Sequence, residues 1–145
     1  MLNIPEIRER IADHIEKTLS DELITITTEY QPVAEITENE SLIAIQPVSL
    51  SAIFVDRARY SVEPKISITI SKRIGESREE SGDYVLEIAG KVINATLGIG
   101  FNSAIVKTID ISDPILLEDS ISGQNVAASR LILSLYAMED RTQNG

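Results

Sequence analysis

The chain has 145 residues, no cysteine and a formal net charge of −10 at pH 7, from 23 acidic and 13 basic side chains. That length suits one domain burying about two-thirds of its unfolded surface. The acidity excludes general nucleic-acid binding, which needs clustered Lys and Arg to displace counterions. With no disulfide possible, a reducing compartment is the easier home.

Hydrophobic residues make up 43% of the chain, too many for disorder at this charge. Isoleucine occurs 23 times and tryptophan not at all, and a core of β-branched aliphatics favours strands. The opening "MLNIPEIRER" lacks a basic segment followed by an apolar one, so no signal peptide is expected. No apolar run approaches the roughly 20 residues of a membrane helix. A soluble chain made in the cytosol, with no membrane partner, is the expectation.

Ile4, Ile7, Ile11, Ile15 and Leu19 recur at steps of three and four and predict an amphipathic helix over 4–19. Asn3 and Glu6 have the spacing of a capping box, and Pro5 suits a first turn. "ELITITTEY" (22–30) alternates as a strand, "QPVAEITENE" reads as a polar connection, and "SLIAIQPV" (41–48) is a second strand with Pro47 marking an edge or bulge. "SAIFVDRARY" is either a third strand or a continuation past that bulge. In "RARYSVEPKISITISKR" the residues Ile66, Ile68 and Ile70 alternate with Ser67, Thr69 and Ser71, giving a strand over 65–72 with one apolar and one hydroxylated face.

"GESREESGD" (75–83) reads as a mobile loop and "DYVLEIAGKVINATLG" as a second helix over 83–97, with Asp83 as N-cap and Gly98 as C-terminal glycine. Gly90 inside it costs about 1 kcal/mol relative to alanine, which close packing of helix on sheet would offset. "NSAIVKTIDIS" (102–112) is a strand, 112–128 a long connection with room for a short extra strand or hairpin, and "SRLILSLYAM" (129–138) a central strand covered on both faces. The fold class expected is α+β: a mixed, largely antiparallel sheet of about four to six strands with two flanking helices. One domain spans 1–145, with a polar tail from about residue 139.

Candidate chemistry is sparse. His14, the one histidine, lacks further ligands at helical spacing and reads as an ordinary surface or boundary residue. Gly98 and Gly100 in "ATLGIGF" follow a helix rather than lead into one, so they read as a cap and turn, not a phosphate loop. Glu76, Glu79, Glu80 and Asp83 do not match an EF-hand spacing. Asp110, Asp113, Glu118 and Asp119 read as surface acids, and no G-x-S-x-G elbow is present. No catalytic, cofactor or metal residue is expected, and the chain is not read as an enzyme. Arg57 and Arg59 stand out in so acidic a chain, since the guanidinium fork suits interfaces. The plainer reading is local pairing in a turn.

The opening helix "IRERIADHIEKTL", the block "RARYSVEPKISITISKR", the helix "YVLEIAGKVINATL", then "DPILLEDS" and the closing "SRLILSLYAM" with Tyr136 together resemble the tail terminator (tail-completion) proteins of long-tailed bacteriophages. The likeness is one of layout over nearly the whole chain. It implies a structural, non-catalytic minor tail protein whose copies close into a ring, usually a hexamer. Such a ring caps the tail tube, ends its growth and offers the surface on which the head docks. The implied partners are further copies of the chain, the tail tube protein and a head–tail connector protein, with DNA passing through unbound. The implied location is the tail–head junction of the virion, and the host cytoplasm during assembly. Arg57, Arg59, Glu76, Glu79 and Glu80 are the candidate subunit-interface residues. The alternative is a small-molecule-binding or regulatory α+β homodimer with a concave pocket.

Overall fold

The computed structural model describes residues 2–22, 24–28, 41–73, 78–119 and 125–140. Its elements run α1 (Ile4–Thr18), β1 (Ile24–Thr27), β2 (Ser41–Phe54), β3 (Arg59–Arg73), α2 (Arg78–Thr96), β4 (Gly100–Phe101), β5 (Ala104–Asp119) and β6 (Asn125–Asp140). The strands form one six-stranded sheet in the order β1-β2-β3-β6-β5-β4. Only the β1–β2 pair is parallel; the other four pairings are antiparallel. This is the expected α+β arrangement of two helices on a mixed, largely antiparallel sheet.

The alternation in β3 is what builds the core. Ile66, Ile68 and Ile70 have no exposed surface and stand opposite Leu133, Leu131 and Ser129 of β6. On the other side Ile68 and Ile70 face Ile45 and Ile43 of β2, also fully buried. Ile7, Ile11 and Ile15 from α1 and Val85, Ile88, Ala89 and Val92 from α2 close the same cluster. Burying one such side chain stabilises by about 1.5–3 kcal/mol. The α1 helix touches β1 and β2 at one edge of the sheet and β4 at the other, so the sheet curls around its helices. Of the hydroxylated face, Ser67 is buried and donates to the Gln46 carbonyl at 3.4 Å, while Thr69 and Ser71 are half-buried.

The capping box forms by half. The Glu6 backbone N–H donates to Asn3 Oδ1 at 3.1 Å, but the Glu6 carboxylate turns to Arg10 at 2.9 Å and to Asn102 at 3.3 Å. The structure departs from the sequence reading in several places. The α2 helix begins at Arg78, so the loop expected over 75–83 is helical from there on, and Asp83 lies inside the helix rather than at its cap. Residues 74–77 lie outside the described residues. Acidic Glu79 and Glu80 occupy the first turn, where the helix dipole favours negative charge.

Of the expected 112–128 connection, 112–119 belong to β5 and 125–128 to β6, and 120–124 lie outside the described residues. Register shifts between Ile111 and Asp113, and between Asp113 and Leu116, carry the ladder past Pro114, as bulges do. Glu139 and Asp140, at the start of the expected polar tail, belong to β6 and pair with Tyr60 and Arg59, and 141–145 lie outside the described residues. Finally, β6 is central, but only its helix-facing side is closed: Leu131, Leu133 and Leu135 are buried, while Ile132, Ser134 and Tyr136 on the other face remain half-buried.

Gly90 is exposed, and a Cβ built there meets nothing within 4 Å. Close helix-on-sheet packing therefore does not explain it. Gly90→Ala should raise stability by about 1 kcal/mol through helix propensity, read by urea denaturation with an unchanged m-value. By contrast, Ile68→Ala should cost about 2–5 kcal/mol.

Candidate functional site

Strand and helix lengths do not match. Fifteen residues of β3 extend about 50 Å, whereas the 19 residues of α2 extend about 28 Å. The exposed stretch lies on β2: its far half, from Val48 to Phe54, is exposed throughout and forms an arm, whereas Ser61, Val62 and Pro64 on the neighbouring β3 stay buried. A bulge between Pro47 and Ser49 shifts the pairing by one residue. Before it, Ile43, Ile45 and Pro47 stand opposite the core-facing Ile70, Ile68 and Ile66; after it, Leu50, Ala52 and Phe54 stand opposite Pro64, Val62 and Tyr60. A one-residue shift exchanges the two faces of a strand. Leu50 and Phe54 thus share the face of Pro64 and Val62, and Ile53 lies on the other.

The arm is apolar and wet. Among the described residues, Val48, Leu50, Ile53, Phe54 and Val55 are five of the eleven exposed large hydrophobics, and Phe54 is the most exposed of these at 67%. Scattered single apolar residues on a surface need no explanation, but a contiguous patch marks an interaction site. Among the described residues, β1 pairs with Ser41–Ala44 of β2.

The arm's tip is built by Asp56. Its Oδ1 accepts from the backbone N–H groups of Ala58 and Arg59, each at 2.8 Å, and its Oδ2 from the Arg59 guanidinium at 3.1 Å. Chiefly the Ala58 N–H, then the Arg59 side chain, hold this carboxyl below the usual carboxylate range. Arg59 therefore pairs locally, as its plainer reading had it, while Arg57 is exposed and makes no ion pair among the described residues.

Glu79 and Glu80 are exposed on the first turn of α2. They sit at the opposite end of the sheet from the arginines, because α2 follows the far end of β3. The structure does not bring Arg57 and Arg59 together with these two acids within one chain. Glu76 lies outside the described residues.

A second feature lies between α1 and the turn after α2. Gly98 takes a positive φ of 80°, and its N–H donates to the Val106 carbonyl at 2.8 Å, which brings Ile99 alongside β5. Asn102 and Ser103, both at positive φ, make the tight turn between β4 and β5. The cap-and-turn reading of "ATLGIGF" thus holds. Arg10, Asp13, His14 and Lys17 from one face of α1, with Ile99, Gly100 and Phe101, line an open hollow of about 320 Å³.

His14 is half-buried at the boundary, its Nε2 2.9 Å from the Ala95 carbonyl oxygen and its ring edge-on to Phe101 at 5.6 Å. Leu97, Ile99 and Ile105 beside the hollow are each at least 40% exposed. Among the described residues, no group of three His, Cys, Asp or Glu side chains is placed to hold a metal ion. No helix among them is long and apolar enough to cross a membrane.

No protein-family model and no curated protein matches the chain. One solved structure, of a protein whose designation carries no functional word, is 14% identical over 97% of this chain and 94% of that one. Its TM-score of 0.42 is too low to carry an argument.

The carboxylate of Asp56 gives a pH test of the tip. Its folded pKa is depressed, so its contribution is present above the unfolded value near 3.8 and is lost as pH falls through the folded one. Asp56→Asn should therefore be less stable than the parent chain at pH 7, with the difference vanishing near the acid limit of folding. Paired thermal melts across pH measure it.

Proposed function

We propose that this chain is a structural assembly subunit whose copies join edge to edge into a closed ring, in the manner of a phage tail terminator. The ring would cap the tail tube, end its growth and present the head-docking surface, at the tail–head junction of a virion. One observation carries the reading: the exposed aliphatics Val48, Leu50, Ile53 and Val55 lie together on the outer half of β2 and just past its end. An isolated soluble subunit has no use for such an arm, whereas an assembling one buries it against a neighbour.

The charge supports the same reading. Six copies at −10 each would line and surround a channel with negative charge, discouraging duplex DNA from adhering as it passes. Salt screens such charges beyond a Debye length of about 8 Å, so the acidity does not forbid closure. The layout likeness to tail terminators adds the specific role.

The hollow between α1 and Ile99–Phe101 is the observation that favours a ligand-binding dimer instead. It is open to solvent, and at about 320 Å³ it lies at the small end of the roughly 300–1,000 Å³ common for small-molecule sites.

Light scattering of the purified chain across concentration, with and without Mg²⁺, separates the two. A discrete species near six chains, or a concentration-driven shift toward one, is expected, without retention of duplex DNA at physiological salt. A stable dimer at every concentration would favour the ligand-binding reading.

A further inference from the structure

We propose that the hollow between α1 and Ile99–Phe101 binds a small amphiphilic anion, a single aromatic ring bearing a carboxylate. The site lies within one chain and does not depend on how copies associate. Its walls are set by two ties. Glu6 Oε2 accepts from the Asn102 side chain at 3.3 Å, and His14 Nε2 donates to the Ala95 carbonyl at 2.9 Å. Glu6 and His14 stand about 12 Å apart along α1, so the helix is held against the facing segment on either side of Arg10. Walls fixed before a ligand arrives lose less on binding it.

The hollow reverses the charge balance of the chain. Over the whole sequence 23 acids outnumber 13 bases, whereas the hollow is lined by two cations, Arg10 and Lys17, and one acid, Asp13. With His14 neutral, one net positive charge remains, which suits a carboxylate monoanion better than a phosphate dianion. A concave surface of one sign raises the local concentration of the opposite ion.

The two cations offer different things. Arg10 gives Nε and Nη2 to Glu6 Oε1 at 3.2 and 2.9 Å, which fixes the guanidinium plane and leaves Nη1 for a second acceptor. Lys17 is exposed and makes no ion pair among the described residues, although Asp13 stands four residues before it, the spacing that favours one. Lys17 is therefore the main partner for the carboxylate, and Arg10 the second.

The facing wall is apolar. Phe101 is buried with its ring edge-on to His14, and Ile99 keeps 40% of its surface in water. A cavity of about 150 Å³ takes one benzene ring; the hollow, at about 320 Å³, has room for a ring and a short acidic arm. A ring laid on Ile99 removes apolar surface from water while its carboxylate reaches the charged face of α1.

The chain has one histidine, so the imidazole C–H protons of His14 report unambiguously from inside the hollow. Titrated with 3-phenylpropionate at fixed pH, their NMR signals should shift saturably with a midpoint of about 1 mM, the scale for so small a ligand. 3-Phenylpropionamide keeps the ring without the charge, and acetate the charge without the ring; each should bind at least tenfold more weakly. Lys17→Glu, at an exposed position, should weaken 3-phenylpropionate at least tenfold, and Asp13→Asn should strengthen it by removing a like charge. Equal binding of acid and amide, or an unchanged Lys17→Glu variant, would overturn anion recognition. Acetate or inorganic phosphate binding as tightly would overturn the aromatic half, and no saturable shift at any soluble concentration would overturn the site.

Discussion

A β-strand rises more than twice as far per residue as an α-helix, and this structure turns on that difference. The β3 strand keeps one unbroken register with β6 from Arg59↔Asp140 to Arg73↔Val126. Along that length the alternation of isoleucine with serine and threonine becomes a dry core, with Ile66, Ile68 and Ile70 at no exposure and burial running on to Val62. In the outer half of β2, from Val48 on, the same kind of alternation becomes an apolar surface. The core and the arm are thus one pattern under two conditions of cover.

The bulge at Pro47–Ser49 decides what the arm presents. Without it the helix-side positions beyond Pro47 would be Ser49, Ser51 and Ile53, a mostly hydroxylated face. With it they are Leu50, Ala52 and Phe54. Proline and a bulge in an outer strand are also devices that discourage indiscriminate edge pairing. The arm therefore combines an adhesive face with a backbone edge that is hard to extend at random, and the Asp56–Arg59 bridge holds its tip in one shape. At the other edge, the positive-φ Gly98 and the Asn102–Ser103 turn bring Ile99 and Phe101 up against α1, which is how the hollow comes to exist.

Much of the fold could be read from local pattern. The α1 helix follows from five aliphatics at helical spacing, the β3 strand from strict alternation, and the bulge near Pro47 from the proline itself. The misreadings share a physical cause: local composition was outweighed by pairing partners far away in sequence. "GESREESGD" looks like a loop by its glycines, serines and charge, yet helix α2 begins within it because Val85, Ile88 and Val92 dock on the sheet and acidic residues suit a first turn. Asp113 and Pro114 look like a break, yet β6 is long enough to carry β5 past them with shifts of register.

The candidate site was less legible. Arg57 was singled out and does sit on the arm, but for its charge rather than its place. The exposed aliphatics around it were missed, because "VSLSAIFV" has the same alternation as a buried strand and nothing in a sequence states how far a helix will reach. The hollow joins residues more than 80 positions apart, such as His14 and Phe101, and no spacing rule could have found it.

Hydrogen–deuterium exchange of the full chain at rising concentration tests the central claim most directly. The account predicts that amides of residues 48–55 gain protection in step with the rise in mass, while the core strands do not change. Arm amides that exchange at one rate across the whole range, while the chain demonstrably assembles, would contradict it.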